Sequence, residues 1–279
     1  MASHEAIQHN KNGNNSLIHP FTVIHPNSRI ASDVQIGAFT TIEEDVEIES
    51  GTWVGSNVTL MKGTRIGKNC RIFPGAVIGA IPQDLKFKGE YTLAIVGDNT
   101  TVRECVTINR GTEDKGKTEI GKNCLLMAYV HIAHDCIVGN NCIIANAVQM
   151  AGHVEVGDFA VIGGASAILQ FVKIGTHTMT AGCSQVRKDI PPYVRAAREP
   201  ISYSGLNIVG LRRRGFTAQQ IGELQEIYRR IFNAGMNVSA AIKNIQETMP
   251  ESIYKEEILS FIASSKKGII KGGTDEKQD

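Results

Sequence analysis

Three histidines, His131, His134 and His153, fall inside Leu125–Val154 of a 279-residue chain, in a stretch that is otherwise a regular apolar repeat. An aliphatic repeat has no use for imidazoles, so this stretch is where chemistry is expected. Two chemistries suit the residue type. An imidazole with its ordinary pKa of about 6.5 exchanges a proton near neutral pH and serves as a general base. Three converging imidazoles also make a metal-ligand set. Spacing along the chain does not choose between them, because convergence depends on the fold that carries the histidines.

That fold is written in a period of six. From Ile18 to Val186 an apolar residue returns at every sixth position, and only Asp84, Glu90, Asp114 and Thr180 break the series. Glycine often follows the apolar residue, as at Gly37, Gly55, Gly67, Gly97, Gly121, Gly139, Gly157 and Gly175. A period of six fits neither an amphipathic helix nor a single alternating strand. It is the signature of a parallel β-helix, in which each hexad gives a short strand and a turn. The aliphatic side chains stack inward between coils, and glycine is expected to serve tight backbone at the corners. Strands of a sandwich would not keep this spacing over so many residues.

Composition narrows the function. The net charge is +1, which gives no bulk electrostatic basis for binding nucleic acid. No apolar run approaches the length of a membrane span. Aromatics are only 6% of the residues, as expected where thin coils are filled by Ile and Val. Cys70, Cys124, Cys136 and Cys142 each lie four residues after an inward aliphatic and read as reduced packing residues of a cytoplasmic protein. No CxxC pair suggests structural zinc.

The chain divides into four parts. Residues 1–16 (MASHEAIQHNKNGNNS) lack the apolar core of a signal peptide and read as a disordered polar leader. A β-helix is expected over 17–192. Two polar insertions, near 80–94 and 110–118, should leave the prism as loops, and such loops are commonly functional. At Asp189–Pro192 two prolines are expected to end strand pairing. A helical domain comes next, over 193–270, and 271–279 reads as a disordered tail. Thr217 and Gln220 have the spacing of a capping box. Ile221, Leu224, Ile227, Tyr228 and Ile231 then form a helical stripe. Two more helices are expected at Val238–Thr248 and Glu251–Lys266, with Ile242, Ile245, Ile253, Ile258 and Phe261 in the core. Arg212, Arg213 and Arg214 close the first helix of this region.

The hexads resemble those of hexapeptide-repeat acyltransferases. That resemblance implies a left-handed β-helix with three hexads per turn, so that residues 18 apart stack. His134, Gly152 and Gln170 then share one column on successive coils, with His153 beside Gly152 and His131 three residues before His134. More specific motifs stand in order along residues 18 to about 270: QDLKF (83–87), INRGT (108–112), HIAHD (131–135), MAGHV (150–154), GGASA (163–167), LQF (169–171), DIPPYV (189–194) and GLRRRGF (210–216). With them the chain is similar to the UDP-N-acetylglucosamine O-acyltransferases that begin lipid A synthesis.

The resemblance implies a set of roles. His134 matches a catalytic base, Asp135 its supporting acid, and Gly152 the residue whose N–H faces the reacting carbonyl. His131, His153 and Gln170 match pocket residues. Asp84 and Lys86 match substrate contacts, and Asn207, Arg213 and Arg214 match contacts to the nucleotide. Gly182, with Met179 nearby, matches the position that leaves room for a long acyl tail. The implied partners are an acyl carrier protein carrying a 3-hydroxyacyl chain, UDP-N-acetylglucosamine and two further copies in a homotrimer, with no metal and no cofactor. The sequence departs from the family pattern at Asn109, Leu169 and Val209. Two other readings compete: a hexapeptide acyltransferase using a coenzyme A thioester, and a hexapeptide zinc hydratase of the carbonic anhydrase type.

Overall fold

The computed structural model describes residues 17–232 and 235–272, so the leader and residues 273–279 of the expected tail lie outside the described residues. Short strands fall into three parallel sheets that form the faces of a triangular prism. The first face runs from Val23–Ile24 to Gln185–Val186, the second from Arg29–Ile30 to Lys173–Ile174, and the third from Gln35–Ile36 onward. The architecture is a left-handed parallel β-helix of hexapeptide repeats with α-helices after it.

Register shows how the repeat works. Val23 pairs with Thr41 and His131 with Gln149, each 18 residues on. Across the first insertion the offset grows to 30 (Val77 with Thr107), and across the second to 24 (Thr107 with His131). The insertions therefore add two hexads and one hexad, which preserves the phase of every later coil. Two side chains per hexad point inward: the aliphatic and the residue four positions on. The second position is often Thr or Cys, whose hydroxyl or thiol reaches a glycine carbonyl on the next coil. Thr100 Oγ1 donates to the Gly121 carbonyl at 2.8 Å, and Cys124 Sγ to that of Gly139 at 3.1 Å. The four packing cysteines are buried and unpaired.

The glycines do a different job from the one expected of them. The left-handed backbone at the corners is taken mainly by other residues, three positions after the aliphatic, such as Asn57, Asn123, Asp135, His153 and Phe171. Each inter-coil corner bond offsets some of that strain; Asn123 N–H, for example, donates to the Asp98 carbonyl at 2.9 Å. Gly121 is needed because coils touch there: a Cβ would lie 2.6 Å from the Gly139 carbonyl oxygen.

The corner between the second and third faces begins as asparagines (Asn69, Asn99, Asn123, Asn141) and ends as aromatics (Phe159, His177, Tyr193). Phe159 stacks on His177 at 4.8 Å and His177 on Tyr193 at 5.5 Å. The helical region docks on this end. Its elements are α1 (Ile208–Arg213), α2 (Ala218–Phe232), α3 (Val238–Thr248) and α4 (Ile253–Ser264). Phe216 packs edge-on to His177, Tyr254 to Tyr193, and the buried Tyr228 hydroxyl donates to the Pro192 carbonyl at 2.6 Å. Thr217 and Gln220 form the reciprocal capping box of α2. The stripe Ile221, Leu224, Ile227, Tyr228 and Ile231 is the buried face of α2.

Three expectations need correction. Strand pairing continues past the prolines: Val194–Ala197 pairs in parallel with Met179–Thr180 and antiparallel with Ser202–Leu206. Pro192 sits at a corner, outside the ladder, where a missing N–H loses no strand bond. Ile253 is 72% exposed and not core, because it begins α4 on the side away from buried Ile258 and Ile262. Lys271 and Gly272, placed in the tail, pair with the hairpin through Tyr203.

A pair of substitutions tests the glycine account. Gly121→Ala should lose about 1–3 kcal/mol through overpacking. Gly222→Ala in α2, where a Cβ meets nothing within 4 Å, should be neutral or gain about 0.5–1 kcal/mol. Thermal unfolding midpoints should fall for the first and hold or rise for the second; equal midpoints would contradict the account.

Candidate active site

The candidate site lies at the corner between the first and second faces. Its left-handed positions on three successive coils are Asp135, His153 and Phe171. His134 and Gly152 precede two of them, and the coils are tied there by backbone bonds. His153 N–H donates to the His134 carbonyl at 3.0 Å, and Phe171 N–H to that of Gly152 at 3.2 Å.

Asp135 is fully buried, and its position is heavily determined. Its Oδ2 accepts from the Thr112 hydroxyl at 2.6 Å and faces His134 Nδ1 at 2.8 Å. Its Oδ1 accepts from the backbone N–H groups of Thr112 at 2.9 Å and Lys115 at 3.3 Å. Its own N–H donates to Thr118 Oγ1 at 2.8 Å. Burial pushes this carboxyl up, but the hydrogen bonds from Thr112 and His134 outweigh it and hold the pKa below the usual carboxylate value. An ionised Asp135 at His134 Nδ1 fixes the tautomer that leaves Nε2 free to accept a proton.

The His134 ring packs against Gly152. A Cβ there would lie 2.6 Å from His134 Cε1 and 2.7 Å from Nε2, so only glycine lets the ring occupy this place. The Gly152 N–H has no acceptor among the described residues. His153 lies edge-on to His134 at 5.1 Å and stacked on Phe171 at 4.5 Å. Its Nδ1 lies 3.2 Å from Asp114, and burial lowers its pKa despite the nearby Asp135 charge. His134, Asp135 and His153 offer ligand atoms within 4.8 Å of one another. The three-histidine metal set is therefore not what the fold assembles. His131 lies on the first face with Nδ1 2.7 Å from Thr107 Oγ1, and no contact joins it to His134 or His153 among the described residues. Its pKa is lowered by burial.

The other sequence-derived positions are spread out. Gln170 is half-buried at the same corner, one coil beyond Gly152, beside exposed Leu169. Asp84 and the exposed Lys86 lie in the first insertion, where Asp84 Oδ1 accepts from Lys86 N–H at 3.0 Å. Asn207 is buried and both ends of its amide are used: it caps α1 through Gly210 N–H and donates to the His177 carbonyl at 2.9 Å. Arg213 is exposed. Arg214 lies over Phe159 and donates to its carbonyl at 2.9 Å, while its buried Nη1 has no partner among the described residues. With burial and the Arg214 charge, the His177 pKa is pushed down to about 4. Met179 is 40% exposed, and Gly182 is exposed at the corner between the third and first faces.

Reading the sequence for chemistry missed Thr112, Asp114, Lys115 and Phe171. Phe171 was within reach, being 18 residues after His153. Thr112 had only its place in INRGT, and nothing local says that an insertion returns to Asp135. Gly152→Ala should leave the fold intact yet displace the His134 ring. A crystal structure of that variant with Nδ1 still 2.8 Å from Asp135 would contradict this geometry.

Known proteins resemble the chain over most of its length. Residues 189–270 match the family described as Udp N-acetylglucosamine O-acyltransferase, Domain 2, and residues 45–80 and 117–152 match the six-repeat bacterial transferase hexapeptide family. The acyl-[acyl-carrier-protein]–UDP-N-acetylglucosamine O-acyltransferase of Chlorobaculum parvum is 57% identical over 254 residues, covering 91% of this chain and 96% of that protein. The Saccharophagus degradans protein of the same name is 40% identical over 92% of this chain and 100% of its own. The solved UDP-N-acetylglucosamine acyltransferase of Bacteroides fragilis superposes with a TM-score of 0.89 at 47% identity, covering 91% of this chain and 99% of that one. The Arabidopsis structure does so with 0.82 at 32% identity, covering 91% and 100%. On relatives this similar over nearly its whole described length, the chain belongs to the UDP-N-acetylglucosamine O-acyltransferase family.

Proposed function

We propose that the protein transfers a long-chain 3-hydroxyacyl group from acyl carrier protein to the 3-hydroxyl of UDP-N-acetylglucosamine, the first step of lipid A synthesis. The observation that carries this reading is the His134–Asp135 pair, with the imidazole packed against Gly152. A sugar hydroxyl is a poor nucleophile at neutral pH. His134 Nε2 accepts its proton as the oxygen attacks the thioester carbonyl, and Asp135 stabilises the resulting imidazolium. The Gly152 N–H donates to the oxyanion of the tetrahedral intermediate. On collapse the C–S bond breaks, and the proton on His134 passes to the departing thiolate. The donors and acceptors this step needs are all on the chain, so no covalent enzyme intermediate is required. Burial raises the Cys136 thiol to about 12, far from a nucleophile's value.

The remaining roles are part of the same reading. His153 and Gln170 line the pocket beside the base, and His131 flanks it on the first face. Asp84 and Lys86 reach the sugar from the first insertion. Arg213 and Arg214 meet the nucleotide phosphates, for which guanidinium forks are suited, and Asn207 holds α1 in place for them. A homotrimer in the cytoplasm completes it. The first face supports association: its outward residues, among them Val23, Thr41, Thr59, Val77, Thr107, Gln149, Ala167 and Gln185, carry no formal charge. The second face instead carries a ladder of ion pairs through Glu47 and Arg65.

His134→Ala should lower the rate of transfer by about 10²–10⁴ while sugar-nucleotide binding persists. A variant keeping more than about a tenth of the parent rate would remove the general-base role. In this reading the acyl chain passes Met179 and Gly182, both exposed at or beside a neighbouring corner. Each further methylene buried there contributes roughly 0.8 kcal/mol, enough to separate neighbouring chain lengths several-fold. Gly182→Met, whose Cβ meets only Gly164 backbone at 3.2 Å, should shift the preference to shorter hydroxyacyl donors. An unchanged preference would place the length ruler elsewhere.

A further inference from the structure

We infer that Asn109–Lys115 is a single positioning strap, which sets the first insertion and the His134–Asp135 pair in one fixed relation. This rests on the acyl-transfer reading and goes beyond it by assigning a role to residues that touch neither reactant in that reading. The segment grips the first insertion at both ends and in the middle. At its start, Asn109 Nδ2 donates to the Ile81 carbonyl at 2.6 Å, and Arg110 N–H to that of Ala80 at 3.0 Å. At its end, Gly111 N–H donates to the Leu93 carbonyl at 3.1 Å, and Glu113 N–H to Glu90 Oε1 at 3.2 Å. In the middle, the Arg110 guanidinium lies over the Phe87 ring at 5.4 Å while Nη1 donates to the Lys62 carbonyl at 3.2 Å. Phe87 adjoins Lys86, and its N–H donates to the Asp84 carbonyl at 3.0 Å.

The same segment then turns to the base. Thr112 gives Asp135 both its hydroxyl and its N–H, Lys115 gives its N–H, and Lys115 Nζ pairs with Glu155 at 2.8 Å. Fewer than ten residues thus hold the loop bearing Asp84 and Lys86 with one end and the carboxylate behind His134 with the other. Arg110 Nε is buried without an acceptor among the described residues. That donor is a standing penalty, so the side chain's other contacts must offset it. Asn109 is the buried anchor of the loop, which gives a physical role to one departure from the family pattern.

The strap makes Arg110 and Phe87 positioning residues for the substrate loop, and Thr112 one for the base. The test is steady-state kinetics of full-length Arg110→Ala, Phe87→Ala, the double variant and Thr112→Val, with UDP-N-acetylglucosamine and a 3-hydroxyacyl-acyl carrier protein. Arg110→Ala and Phe87→Ala should each raise KM for the sugar nucleotide about 5- to 10-fold with kcat within about 2-fold, and the double variant should be no worse than either single, since both remove one contact. Amide exchange in 82–91 should quicken in both. Thr112→Val should instead lower kcat and move the acidic limb of the pH–rate profile upward, because Asp135 loses a hydrogen bond that lowers its pKa. Phe87 lies on the loop, outside the coils, and stands in if Arg110→Ala fails to fold. Unchanged KM and exchange in the loop variants, or effects that add in the double variant, would overturn the strap. Absence of transfer by the parent protein with this pair of substrates would overturn the reaction assigned to it, and the exchange data would still decide the strap.

Discussion

The structure depends on one interaction: the backbone hydrogen bond from each coil to the next, 18 residues away wherever no insertion intervenes. It fixes the rise of the prism and forces residues in the same position of the repeat into columns. Glycines such as Gly121 and Gly139 sit where neighbouring coils come too close for a Cβ. The inward Thr and Cys side chains close the polar positions that the corners would otherwise leave open. Because every coil repeats this pattern, an error in the length of one would misalign every later coil.

The three corners use the same backbone geometry for different ends. One bears asparagines, which tolerate left-handed φ, until Phe159, His177 and Tyr193 replace them and give the helical region an apolar seat. The corner between the third and first faces carries exposed Phe21, Phe39 and Tyr129. The corner between the first and second faces holds Asp135, His153 and Phe171 in non-glycine left-handed conformations, each strained locally and held by inter-coil bonds. The candidate base is thus built on rigid scaffold and not on a loop, which keeps His134, Asp135 and Gly152 in register.

Loops enter only where whole hexads are added. An insertion of twelve residues and one of six leave the prism without changing the phase of the coils beyond them. Both are held to the candidate site's corner or to each other. The Lys115–Glu155–Lys173 series then continues this contact along the second face.

The sequence by itself determined what depends on periodicity. The six-residue spacing of Ile and Val was enough for strands and their inward faces, and the local signals at Thr217 and Gln220 were enough for a helix start. His134 was legible as the candidate base through its place in HIAHD, which the resemblance matches to a catalytic base, and in the column with Gly152 and Gln170. Only the tertiary structure decided which residues meet that base. Thr112 lies far along the chain from Asp135, on an insertion whose path no local pattern encodes. His131, three residues from His134, takes the other side of a strand turn and bonds to Thr107. Ile253 has the hydrophobicity of a core residue but the position of a helix end. The physical reason is the same in each case: periodicity reports contacts that recur, whereas a site is made of contacts that occur once.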